Sequence, residues 1–143
     1  MRLAFFLLLF YFFYLLRQPR SGRFFMRETP PLYTVAGQLV GWTLDRTADF
    51  PKSQRFTFGQ RVDNLSLDCL QQVVRAIYST GNQRHAYLSE LNLKLEELRV
   101  LWRLIQQRGW ITQRQLLYVG GVLDELGRMA GGWMKSQQKK TNE

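Results

Sequence analysis

Histidine and cysteine each occur once in this 143-residue chain, as His85 and Cys69. A single cysteine excludes an internal disulfide, so the chain does not require an oxidising compartment for folding. A lone histidine with no cysteine or histidine cluster around it gives no metal-ligand spacing, and no metal or cofactor is expected. Cys69 falls within an apolar helical pattern, where a buried structural thiol is the expected role rather than a nucleophile. Acids are scarce as well: 11 Asp and Glu stand against 20 Lys and Arg, for a net charge of +9. That excess favours anionic partners such as nucleic acid, an anionic membrane surface or an acidic protein. Strand-like alternation is missing, and the glycines form neither a phosphate-cradling loop nor a dinucleotide fingerprint. Asp63, Asp68, Glu96 and Glu97 do not make the Glu plus Glu-x-x-His sets of a bundle di-iron site and read as solvated helix surface. With no converging nucleophile, base and charge stabiliser, the chain is not expected to be an enzyme.

The longest apolar run is Leu3 to Leu16, followed by Arg17, Arg20 and Arg23. As a helix its 14 residues would span about 21 Å, short of the roughly 30 Å hydrocarbon core of a bilayer. Residues 1–25 therefore stand apart as an N-terminal extension with three open readings: a translation start in fact at Met26, a membrane anchor, or a secretory signal without a convincing small-residue cleavage site. Without them 16 basic residues face 11 acids, so the basic character survives. A membrane role is not favoured, and the expected location is cytoplasmic.

From Met26 onward the pattern is helical. Pro30-Pro31 sets an extended entry, after which Leu32, Val35, Leu39 and Trp42 mark the inward face of a first helix running to about Ala48, stopped by Phe50-Pro51. Phe58, Val62, Leu65, Cys69, Val73 and Ala76 carry a second helix, which starts near Ser53 or, if Thr57 and Gln60 form a capping box, later. Gly81 and Asn82 suit a left-handed turn that ends it. Leu88, Leu91, Leu95, Leu98, Trp102 and Ile105 repeat as a heptad seam in a third helix to about Arg108, closed by Gly109. Thr112 and Gln115 form a capping box for the fourth. Short connections make neighbours antiparallel, so the predicted fold is an all-α, up-down four-helix bundle over residues 26–138, with a polar tail at 139–143.

The fourth helix carries Leu116, Val119, Leu123, Leu126, Ala130 and Trp133 on one face, and Gly120, Gly121, Gly127, Gly131 and Gly132 interrupt it. Each interior glycine costs roughly 0.5–1 kcal/mol relative to alanine, so a second helix, from this chain or another copy, is expected to lie close against them. Gly127, Gly131, Gly132 and Trp133 are accordingly assigned to packing or subunit contact. Asp124 and Glu125 beside Arg128 read as a local ion pair, Glu125 with Arg128. On the third helix Lys94, Arg99, Arg103 and Arg108 avoid the apolar seam, and with Lys135, Lys139 and Lys140 they are candidates for phosphate contact.

Two stretches carry a family resemblance: Phe50 to Arg61 (FPKSQRFTFGQR), and Leu98 to Arg103 (LRVLWR) leading to Leu123 to Ser136 (LDELGRMAGGWMKS). They resemble the Avd accessory proteins of diversity-generating retroelements, which are similar in turn to the four-helix proteins encoded by 23S rRNA intervening sequences. The resemblance covers about Met26 to Gln138 and leaves residues 1–25 outside. It implies a basic, barrel-shaped homopentamer with no active site, which binds the element's reverse transcriptase and template-repeat RNA or cDNA during mutagenic retrohoming. By the same match Arg99 and Arg103 are implied in polymerase or RNA contact, with Arg108 and Lys94 as additions. The alternative is a stand-alone intervening-sequence-type bundle acting as a nucleic-acid or protein-binding scaffold.

Overall fold

The computed structural model describes residues 30–141, with side chains to Gln137. The N-terminal extension and the lead before Pro30 lie outside the described residues, as do the side chains of Lys139 and Lys140. Four helices follow in order: α1 (Pro31–Thr47), α2 (Gln60–Ile77), α3 (Gly81–Gln107) and α4 (Gln113–Thr141). The backbone of α4 thus continues beyond the boundary expected at Gln138. Among the described residues no helix is long and apolar enough to cross a membrane.

The antiparallel arrangement shows in the interhelical pairs. On α2 and α3, Arg61 meets Glu97 while Asp68 meets Lys94, so one helix ascends as the other descends. On α3 and α4, Arg99 meets Asp124 while Ser89 meets Met134. Helices α1 and α4 close the ring through a thinner seam in which Trp42 touches Tyr118, ring centroids 5.6 Å apart.

The predicted seams are the core. All six heptad residues of α3 are buried, as are Val119, Leu123, Leu126 and Ala130 of α4, with Leu116 and Trp133 half-buried at either end. Each large buried side chain of this kind contributes roughly 1.5–3 kcal/mol by leaving water. Phe50, expected only to stop α1, is itself part of the core and packs against Trp102 and Trp110.

The helix ends follow local chemistry where side chains can reach the backbone. Thr112 and Gln115 form the reciprocal capping box: the Thr112 amide donates to Gln115 Oε1 at 2.8 Å, and the Gln115 amide donates to Thr112 Oγ1 at 3.2 Å. At the end of α3, Gly109 has φ of 75°. Its amide donates to the Gln106 carbonyl and that of Trp110 to the Ile105 carbonyl, the paired bonds of a Schellman motif.

Two expectations change. The Thr57–Gln60 capping box does not form, because helical winding starts earlier, in a 3₁₀ turn (Lys52–Gln54) and a π turn (Arg55–Gly59), and the Thr57 hydroxyl donates to Gln54 instead. Gly81 takes a φ of 55°, as its position in the turn demanded, but it opens α3 rather than capping α2, which ends at Ile77 with Tyr78 as its C-cap.

Candidate nucleic-acid interface

The four basic residues of α3 do not form one surface. At 3.6 residues per turn, Lys94 and Arg99 lie on opposite flanks of the helix, and each reaches a different neighbour. The Lys94 ammonium lies 3.3 Å from Asp68 on α2 and 3.4 Å from Glu90 one turn back. Partial burial pulls its pKa down, but the bonds to these two carboxylates more than offset that and leave it above the ordinary value. Arg99 turns the other way, bonding Glu96 on its own helix and Asp124 on α4 at 3.0 Å. Both side chains are largely sheltered, at 17% and 19% exposure, so their charge is already answered within the fold.

Arg103 and Arg108 differ. Both are exposed, and their side chains make no hydrogen bond or ion pair among the described residues. Arg108 stands at the C-terminal end of α3, where Gly109 turns the chain, and exposed Arg114 begins α4 a few residues later. Arg114 was not among the predicted contacts. The signal was present nonetheless: from Leu98 to Leu123 there are four arginines and no acid. Charge that has no nearby carboxylate in sequence or in space remains available to a polyanion.

The acids read as idle surface all have partners. Asp63 accepts from the Thr47 hydroxyl at 2.7 Å, linking α1 to α2, and Asp68, Glu96 and Glu97 each hold a cation. The predicted Glu125–Arg128 pair does not form. Asp124 supplies the α4 carboxylate instead, to Arg99 across the helix interface, and Arg128 stays exposed.

The glycine face of α4 is open within this chain. An added Cβ at Gly120, Gly121, Gly131 or Gly132 would meet nothing within 4 Å among the described residues, and at Gly127 it would meet only the Arg99 guanidinium, at 3.5 Å. The expected close approach of a second helix from the same chain is therefore not made. The buried positions occupy the inward arc of α4, and the 100° step per residue carries these glycines to its flanks and outer side. Trp133 does pack. It is half-buried against the core, carries the Arg84 guanidinium 4.9 Å from its ring centroid, and with Pro30, Pro31, Leu32, Met129 and Gly132 lines an apolar cavity of about 400 Å³.

Cys69 is buried and its thiol is pushed up to about 12 by that burial, which outweighs the opposing pull of Lys94, while Asp68 and Glu97 add to the rise. It is a packing residue. No group of three or more His, Cys, Asp or Glu side chains that could hold a metal occurs among the described residues.

No curated protein matches the chain. Residues 34–137, which reach into all four helices and include both stretches that carried the resemblance, match the bAvd-like family, and the chain belongs to that family.

Proposed function

We propose that this chain is a non-catalytic accessory protein of a diversity-generating retroelement, which binds the element's reverse transcriptase and its template RNA or cDNA as a homo-oligomer, a pentamer by family resemblance. The observation that carries the reading is the bAvd-like match across nearly the whole bundle. Exposed arginines support it: Arg103 and Arg108, whose side chains have no partner among the described residues, and Arg114 near the start of α4. Its contribution is organisational: two binding surfaces on one rigid body raise the effective concentration of polymerase at template. Arg99 and Lys94, already paired, orient the surface and add less to affinity than the free arginines. The open glycines of α4 are the proposed approach for a second copy, since a backbone without Cβ atoms admits a neighbouring helix closely.

Titration of the purified chain with template-repeat RNA over a range of salt concentrations tests the reading. Each phosphate contact adds to the slope of log affinity against log salt, about 0.7 per contact for a single strand. Replacing Arg103 and Arg108 together by alanine is expected to weaken binding and flatten that slope while helical content stays unchanged. Unchanged affinity and slope would remove both residues from the interface. A reverse-transcriptase frame and two near-identical repeats differing mainly at template adenines are expected beside the gene, and their absence would turn the reading toward an intervening-sequence-type scaffold.

A further inference from the structure

The connector between α1 and α2 packs against the turn between α3 and α4. Phe50 and Phe58 from the connector lie 5.5 Å and 5.7 Å from the ring of Trp110, which joins the two segments into one end of the bundle. Between those two inward rings stands Phe56, 84% exposed. It lies in the π turn, and π turns recur at functional sites. The pattern is local: π-wound backbone sends Phe58 to the core and leaves Phe56 in solvent, a cost in exposed apolar area that packing does not recover.

The surroundings of Phe56 are positive. Lys52 and Arg55 flank it and are exposed, with Arg55 held by a 3.0 Å bond from Nε to the Phe50 carbonyl. Across the Trp110 contact come Arg108 and Arg114, both exposed. No acid occurs from Pro51 to Val62 or from Leu98 to Leu123. Negative charge reaches this end from Asp49 and Asp45 and from Asp63, whose carboxylate accepts from the Thr47 hydroxyl at 2.7 Å.

An exposed aromatic ring set among unanswered cations is the arrangement that holds single-stranded nucleic acid, in which a base stacks on the ring and the flanking phosphates meet the cations. A duplex offers phosphates but keeps its base faces stacked. We infer that this end of the bundle is a single-strand platform, with Phe56 stacking a base and Lys52, Arg108 and Arg114 taking adjacent phosphates. The inference rests on the nucleic-acid part of the proposed function and gives it a location and a strand preference.

The test uses the full chain and three fluorescently labelled probes of equal length: a base-bearing single strand, an abasic single strand and a duplex. The intact chain is expected to favour the base-bearing strand over the abasic one about tenfold, within the range that stacking of a base on an aromatic side chain supplies. Phe56→Ala is expected to abolish that preference without changing the salt slope, and Phe56→Trp to keep it. So exposed a ring contributes little to the core, and thermal unfolding of both variants is expected to match the parent. Replacing Arg108 and Arg114 by alanine should weaken both single strands alike and lower the slope by about one to two. Equal binding of the two single strands by the intact chain, or a preference that survives in Phe56→Ala, would overturn the platform and leave the general reading standing. Failure to bind any of the three probes would overturn both. Retention of strand binding in the double arginine variant would assign those charges elsewhere, an acidic protein surface included, and would equally overturn the platform.

Discussion

Helices α3 and α4 are neighbours of similar length with the same heptad logic, and their outer faces differ sharply. Around its buried seam α3 carries paired charges: Lys94 and Arg99 are each tied to carboxylates on an adjacent helix. Beyond its seam α4 carries glycines where an added Cβ would meet little or nothing among the described residues. One helix uses its flanks to fix its own neighbours, while the other gives up helix propensity along surface that the monomer leaves open. A seam determines where a helix sits, and the flanks determine whether anything else can approach.

The largest break in this contrast comes from the seam. Trp102 is fully buried, with Trp42 and Phe50 against it edge-on. Trp102→Ala is expected to lose about 3–5 kcal/mol of stability in chemical denaturation. Trp102→Phe should cost less, because it keeps a ring in the core, while both variants remove an indole N–H that is buried with no partner among the described residues. Equal losses would mean that the indole nitrogen carries weight after all.

A smaller and pH-dependent effect comes from α2. The Cys69 thiol titrates at about 12 in the fold against 9.0 ordinarily, so between those values the unfolded chain releases a proton that the folded chain keeps. Stability therefore falls as pH rises, by about 1.4 kcal/mol per unit for this group. Lys94, also raised in the fold, loses its contribution in the same direction, beginning above its ordinary value of 10.5. Urea unfolding across alkaline pH should show the decline, and Cys69→Ala should flatten its first part. An unaltered decline in that variant would assign it to other groups.

The smallest change sharpens the α4 side of the comparison. At concentrations where the chain is monomeric, Gly131→Ala is expected to stabilise it by about 0.5–1 kcal/mol, since a methyl group there meets open space. Gly131→Leu, by contrast, should weaken self-association in native mass spectrometry. A destabilised monomer from the alanine variant would mean that the glycine meets a constraint inside its own chain.

Much of the bundle was legible because its signals are local or periodic. The α3 seam, the Thr112–Gln115 capping box and the left-handed Gly109 each involve residues within one or two turns, where spacing alone decides geometry. The Thr57–Gln60 signature had the same form and failed, because tertiary packing of Phe58 on Trp110 goes with a π-wound turn in which Thr57 meets Gln54. The Glu125–Arg128 spacing was equally plausible and also failed, with the neighbouring Asp124 committed across the interface to Arg99.

By itself, then, the sequence determined the helices, their order and their buried faces, since hydrophobic period and short turns leave an antiparallel bundle as the way to remove those faces from water. It also determined an excess of positive charge. Only the tertiary structure decided which cations remain available, because the carboxylates that answer Lys94 and Arg99 arrive from α2 and α4 while none among the described residues reaches Arg103 or Arg108. The same holds for the connector's aromatic rings: Phe50 and Phe58 turn inward to Trp110 and Phe56 outward, a choice made by a contact between segments more than fifty residues apart, which no local pattern encodes.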